Sequence, residues 1–236
     1  MLEGVHLIAI YCERVGAPQT LVVLDEALAR REITDLMARV PASRTLVVRR
    51  ALFSELASLP ADVSALAVVP ALVTRVSEPG HFCLLLEDVQ DPGNVGTMIR
   101  TAAAAGVDQV VLSRDCAFAW APKALRAGQG AHFLTAVIER VELRGWIDAF
   151  RAAGGRAFAT VVPDATPVYR ADLRGRVAIA IGNEGSGLSP ALQQACDARI
   201  AIPMASGSES LNAAAAAAVV LFEAVRQRGA KSPGRQ

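Results

Sequence analysis

"FCLLLEDVQDPGNVGTMIRTAAAAG" occupies Phe82–Gly106, and its reading decides how the chain is organised. An apolar run opens it, a turn carrying Pro92, Gly93 and Gly96 follows, and an alanine-rich helical run closes it, with Arg100 two turns in. A strand, a polar glycine turn and a helix form the repeating unit of a parallel sheet covered on both faces by helices. Such turns often cradle a phosphate. The spacing here fits neither GxGxxG nor a loop ending in Gly-Lys-Ser/Thr. Within the turn, Asn94 reads as the helix N-cap, and Gly96 as a point where the chain's backbone can closely approach something else. Arg100, taken alone, is equally well a solvated arginine on a helix.

The unit recurs. Strand candidates are "FCLLLEDV", "VDQVVLS", "RAFATVV", "VAIAIGN" and "ARIAIPM", most of them followed by helical segments. In sheets of this kind ligands bind beyond the carboxyl ends of the strands. Three strand ends carry polar loops: "DPGNVG" at 91–96, "GNEGSG" at 182–187 and "PMASGSESLN" at 203–212. In the second, Gly182, Gly185 and Gly187 bare the backbone around Glu184. That makes either a wall against a flat or bulky ligand or an ordinary glycine turn with a solvated carboxylate. Ser189 then caps a helix with Pro190 at its first position. In the third, Ser206-x-x-Glu209 fits a capping box and Ser210 is an alternative cap. A helix is expected from Leu211, with Leu211, Ala215, Ala218, Val219, Phe222 and Val225 on one face and the amide of Asn212 facing the same cavity.

The first third alternates as well. "TLVVLDEAL" reads as a strand running into a helix, "RTLVVRRALFSELASL" repeats it, and "ALAVV" is a further strand. "LVTRVSEPGHF", with Pro79-Gly80, is a linker, so the boundary is placed near residue 76, giving segments 1–75 and 76–236. The 236 residues are 53% hydrophobic, enough for a full core. The longest purely apolar run, Ala213–Phe222, is too short to span a bilayer, which takes about 20 residues. Met1 is not followed by a basic segment and an apolar signal core. The four cysteines form no CxxC pair and only three histidines accompany them, so no metal is expected and reduced thiols in a cytoplasm are. A net charge of +1 excludes a protein that coats nucleic acid by charge alone. Contact with RNA would need a local patch and recognition of shape.

Together the loops are more specific than any one of them. Asn94-x-Gly96-x-x-x-Arg100 comes first, then Gly182-x-Glu184-Gly185-x-Gly187-Leu188, then Ile202-Pro203-Met204 followed by Ser210-Leu211-Asn212. This order resembles the three signature motifs of the SpoU-like RNA 2′-O-ribose methyltransferases of the SPOUT class, over roughly Cys83 to Arg228. Residues 1–75 look like that family's N-terminal RNA-binding domain, which is similar to certain ribosomal proteins. "LEGVHLI", Leu2–Ile8, looks like a segment that usually follows an extra first helix, which is therefore expected to be absent here. One departure is Ala213-Ala214-Ala215, where the family often has valine-serine-valine.

The resemblance implies an α/β fold whose C-terminal part is threaded into a trefoil knot, with S-adenosylmethionine bent inside it. By motif position the cofactor residues are Gly182, Ile202 and Leu211, with Thr160 at the end of "AFAT" a further candidate. The substrate would be a ribose 2′-hydroxyl of RNA, with ribosomal RNA favoured over transfer RNA. A guanidinium stays protonated at neutral pH and is a poor base, so Arg100 would hold the substrate phosphate and stabilise the developing alkoxide. Asn94 would position the ribose or hold Arg100, Glu184 would pair with Arg100, and Ser210 and Asn212 would bind ribose or phosphate. The resemblance also implies a homodimer, and no metal or membrane. A transfer-RNA ribose methyltransferase, a non-catalytic RNA-binding relative and a doubly wound oxidoreductase are the competing readings; the missing GxGxxG counts against the last.

Overall fold

The structure is a computed structural model and describes residues 1–58, 63–70, 78–162, 165–205 and 210–229. The expected boundary at residue 76 and the expected capping residues Ser206 and Glu209 lie outside the described residues.

The first third contains β1 (Leu2–Glu3), α1 (Val5–Arg14), β2 (Thr20–Leu24), α2 (Arg31–Met37), β3 (Thr45–Val48), α3 (Arg50–Leu56) and β4 (Ala65–Val68). They form a four-stranded sheet in the order β1-β4-β2-β3, with β2 and β3 parallel and β4 antiparallel to β1 and β2. The stretch after β2 makes only a 3-10 turn, Asp25–Ala27, where a helix was expected. Helix α1, which the resemblance-based reading of "LEGVHLI" passed over, buries Leu7, Ile8 and Tyr11 against the sheet.

The remainder contains β5 (Phe82–Leu86), α4 (Pro92–Ala104), β6 (Gln109–Ser113), α5 (Pro122–Gly128), β7 (Ala136–Val141), α6 (Leu143–Ala152), β8 (Arg156–Thr160) and β9 (Thr166–Pro167). It ends with β10 (Val177–Ile181), α7 (Pro190–Ala195), β11 (Ala198–Ala201) and α8 (Ala213–Gln227). The seven strands form one sheet, ordered β7-β6-β5-β10-β8-β11-β9, and every pairing is parallel. All five predicted strands are present. β7 and the two-residue β9 were not predicted. β7, "AVIERV", carries charges at its exposed end, and its burial is partial, as suits the edge of a sheet.

The strand period of two sorts the apolar residues into two layers. Phe82, Leu84 and Leu86 of β5 and Val177, Ile179 and Ile181 of β10 face α4 and α8. Cys83, Leu85, Ala178 and Ala180 face α6 and α7, where Trp146, Ile147, Phe150 and Leu192 cover them. This explains why β5 and β10 are apolar at every position: both faces are covered. The two sheets meet at α5 and the turn after it. Leu125 belongs to the N-terminal core, Tyr11 meets Phe133 edge-on at 5.4 Å, and a Cβ on Gly130 would lie 2.6 Å from Ile10. Buried His132 sits beneath, its Nε2 2.8 Å from the Ala119 carbonyl; burial pushes its pKa down to about 4, so it is neutral there.

Candidate active site

The chain leaves β5 for β6 and β7 on one side, then re-enters on the other side with β8, β10 and β11. Because all strands run the same way, the three polar loops emerge at one edge of the sheet, where the strand order reverses. There a cavity of about 720 Å³ opens, lined by Thr160–Val162 at the end of β8 and by Ile181–Leu188 beyond β10. Ile200, Ile202 and Met204 close it from β11, and Ser210, Leu211, Ala213, Ala216 and Val220 from the start of α8. The size is that of a small-molecule site, and the lining is mainly apolar with exposed backbone on one wall.

That wall is built by the second loop folding on itself. Asn183 and Gly187 exchange two backbone hydrogen bonds, of 3.1 and 3.0 Å. Asn183 Oδ1 accepts from the N–H groups of Gly185, at 2.9 Å, and Ser186, at 3.0 Å, while its Nδ2 donates to the Asp88 carbonyl at 2.8 Å. Gly187 adopts φ +70, which a side chain would strain. A Cβ on Gly182 would collide with the backbone of Gly187 and Leu188. Gly182 was expected to be bare so that a ligand could pack against it; its first need for bareness is the loop's own closure. Ser189 caps α7 as expected, with Pro190 at the first position, and Glu87 accepts from both its N–H and its hydroxyl at 2.7 Å.

The first loop meets the other two through Asn94. Asn94 Nδ2 donates to Glu184 Oε1 at 2.9 Å, and Asn94 Oδ1 accepts from Asn212 Nδ2 at 3.1 Å. Glu184 also accepts from the N–H groups of Gln90 and Asp91, both at 3.2 Å. Partial burial pushes the Glu184 carboxyl up, but these hydrogen bonds outweigh it and hold the group below its ordinary value of 4.5. Asn94 is not the N-cap that its position predicts. Asp91 caps α4, accepting from Gly93 N–H at 3.1 Å, with Pro92 at the first helical position. Two residues can cap here, and Asp91 wins because a helix that starts at Pro92 leaves the Asn94 amide free to link the loops. Likewise Asn212, not Ser210, caps α8, its Oδ1 accepting from Ala214 and Ala215 N–H at 2.9 and 3.2 Å. The helix therefore starts at Ala213, two residues later than expected.

The structure thus brings Thr160, Gly182, Glu184, Ile202, Ser210 and Leu211 to one cavity, and joins Asn94 and Asn212 to its rim through Glu184. The Thr160 hydroxyl is engaged internally, donating to the Ala180 carbonyl at 2.7 Å. Arg100 stands apart. It is exposed on α4 and makes no hydrogen bond or ion pair among the described residues. The expected Glu184–Arg100 pair is replaced by Glu184–Asn94, because the loop offers the carboxylate one amide and two N–H groups at hydrogen-bonding distance. Asn183 and Glu87 were not singled out from the sequence; Asn before a glycine turn, which favours a side chain folded onto its own backbone, was the signal for the first. Among the described residues no group of three His, Cys, Asp or Glu could hold a metal, and no helix is long and apolar enough to cross a membrane.

Comparison with known proteins gives the family. The profile of the SpoU rRNA Methylase family matches residues 81–222. A 23S rRNA (guanosine(2553)-2′-O)-methyltransferase, RlmP, of Bacillus subtilis is 32% identical over 229 residues, covering 94% of this chain and 86% of the relative. A 23S rRNA (guanosine-2′-O-)-methyltransferase, RlmB, of Xanthomonas campestris is 37% identical over 61% of this chain, which spans 58% of that protein's length. The crystal structure of the SpoU methyltransferase AviRb from Streptomyces viridochromogenes in complex with AdoMet has a TM-score of 0.81 at 31% identity, covering 99% of this chain and 91% of AviRb. A second AviRb structure reaches a TM-score of 0.85 at 29% identity, over 96% of this chain and 88% of AviRb.

Proposed function

Because the chain belongs to the SpoU rRNA methylase family, we propose that it transfers a methyl group from S-adenosylmethionine to a ribose 2′-hydroxyl of ribosomal RNA, with its three loops dividing the work. The observation that carries the division is the chain of hydrogen bonds Glu184–Asn94–Asn212, which sets the first loop on the rim of the cavity formed by the other two.

The cavity fits the cofactor chemically. Ile181, Leu188, Ile202, Leu211 and Val220 offer an apolar bed for an adenine ring, and the backbone of Gly182–Gly187 offers polar groups at its edge. Gly182, Ile202 and Leu211 would hold the cofactor, with Thr160 closing the floor through its bond to Ala180. When bound, S-adenosylmethionine supplies an electrophilic methyl group on a sulfonium. The chain's residues must then present the 2′-oxygen in line and ease the loss of its proton. Arg100, exposed and without a partner among the described residues, is available to clamp a substrate phosphate in two places and to stabilise the alkoxide. Asn94 and Asn212 orient the ribose from the rim, Ser210 adds a hydroxyl beside them, and Glu184 keeps Asn94 in place.

The N-terminal sheet, packed on α5, is the RNA-binding part of this reading, with the division near residue 76. Assembly as a homodimer is supported by α8. Its buried residues are Ala213, Ala214, Ala217, Val220, Leu221, Glu223 and Ala224, whereas the face predicted to be apolar carries Ala215 and Phe222 into solvent, Phe222 at 48% exposure. A helix apolar on both sides wants a second partner. A knotted C-terminal part is implied by family membership, and action on ribosomal RNA supports a cytoplasmic location. The test is a calorimetric titration with S-adenosylmethionine followed by transfer of labelled methyl to ribosomal and transfer RNA. Micromolar binding, about 8 kcal/mol, with ribose labelling of ribosomal RNA is expected. Labelling of transfer RNA alone would overturn the substrate, and binding with no labelling would favour the non-catalytic reading.

A further inference from the structure

The first loop is held from a side that no motif residue occupies. Three consecutive residues of α5 reach three parts of the protein. Leu125 is buried in the core of the N-terminal sheet. The Ala124 carbonyl stands where a Cβ on Gly96 would be, so α5 and α4 touch backbone to backbone. Lys123 Nζ donates to Asp91 Oδ1 at 2.6 Å. Asp91 is the cap of α4, and its N–H goes to Glu184. The Lys123 ammonium beside it, then the Gly93 N–H, hold the Asp91 carboxyl below its ordinary value.

We infer that Lys123 is a positioning residue for the substrate loop: through Asp91 it fixes the start of α4, and so the placement of Asn94 between Glu184 and Asn212. Helix α5 thereby ties that placement to the seating of the N-terminal sheet. The pair is solvent-exposed, 65% for Lys123 and 43% for Asp91, so it adds little to global stability. What it supplies is orientation, and a catalytic group displaced by about 1 Å can cost 100-fold in rate. Lys123 acts on the reaction only through Asp91. The inference rests on the methyltransferase reading for its kinetic consequence, not for its structural one.

Two measurements test it. Amide exchange needs no RNA or cofactor: Lys123→Met should speed exchange in the segment 87–96 while leaving β10 and α8 unchanged, and Lys123→Arg should restore protection. Unchanged exchange in Lys123→Met overturns the role whatever the protein's activity. In single-turnover methylation of ribosomal RNA, Lys123→Met should lower the rate about tenfold, within the range that misplacement allows. The KM for RNA and the affinity for S-adenosylmethionine should hold, and Lys123→Met with Asp91→Asn should be no worse than Asp91→Asn alone. Additive losses, with a raised KM and a salt dependence reduced by about one charge, would instead make Lys123 a phosphate contact and overturn the inference. A wild-type protein that methylates no RNA counts against the proposed function, and the exchange result still decides for or against Lys123.

Discussion

The wall at Ile181–Leu188 and the loop at Asp91–Arg100 lie at the same edge of the sheet and are built in opposite ways. The wall is finished. Its glycines close on their own backbone, Asn183 satisfies the N–H groups of the turn, and Glu87 holds the helix that follows. The loop reaches outward: the Asn94 side chain bonds two other loops, Asp91 accepts from Lys123 of α5 as well as capping α4, and Arg100 has no partner among the described residues. A small rigid ligand gains from a site whose ordering was completed on folding. A large flexible nucleic acid needs donors left free to meet it.

The sharpest way to break that comparison is Gly182→Val. If the wall is closed by its own backbone, the new side chain collides with Gly187 and Leu188 and cannot be absorbed by a side-chain rotation. A loss of about 4 kcal/mol or more in chemical denaturation is expected, with cofactor binding lost as a consequence. A variant of normal stability that merely fails to bind would instead put the Cβ in the ligand's space.

Arg100→Ala asks the converse of the loop. Stability and S-adenosylmethionine affinity should hold, while single-turnover methyl transfer falls about 100- to 1000-fold, the usual loss on removing one electrostatic stabiliser. Arg100→Lys should recover little, since an ammonium lacks the planar fork that grips a phosphate in two places. Wild-type turnover in the folded Ala variant would make Arg100 an ordinary surface residue.

The contact between the two regions is tested by Asn94→Ala, which removes one donor from Glu184 and the acceptor of Asn212. About 1 kcal/mol is expected, the net worth of such bonds at a partly solvated site. The same link should weaken in acid. Because hydrogen bonds hold Glu184 below 4.5 in the folded protein, their stabilisation is full above that pH and is lost as the pH falls through the folded value. Glu184→Gln should remove this part of the acid dependence; an acid limb identical to wild type would show that the link carries no protonation-dependent stability.

The smallest effect belongs to Gly185→Ala. Its Cβ would find only Asn183 Oδ1, at 3.5 Å, so a change within about 0.5 kcal/mol is expected by thermal melting. Comparable damage from Gly185→Ala and Gly182→Val would mean that the wall resists any side chain, and that self-closure at Gly182 is not what sets it apart.

Much of this was legible along the chain. β5 and β10 are apolar at every position, which only a strand covered on both faces tolerates, and the polar loops mark the ends where such a sheet binds ligands. Edge strand β7 was not legible, because "AVIERV" mixes charge into a short run. Which face of α8 is buried was not legible either. Ala215, Val219 and Phe222 and the buried Ala214, Ala217, Val220 and Leu221 are both apolar stripes, so periodicity gives two equal answers.

By itself, then, the sequence determined a parallel sheet with helices on both faces and three polar loops at its strand ends, and the motifs in those loops carried the resemblance to the family. The sheet and the loops follow from residue type and local spacing, which act over a few neighbours. The tertiary structure alone decided that Asp91 and Asn212 cap their helices, that Asn94 joins Glu184 across 90 positions and Asn212 across 118, that Gly182 is bare for the sake of Gly187, and which stripe of α8 is buried. A cap, a hydrogen-bond partner and a core face are choices among chemically equivalent candidates, and the choice is made by whichever group folding brings within about 3 Å.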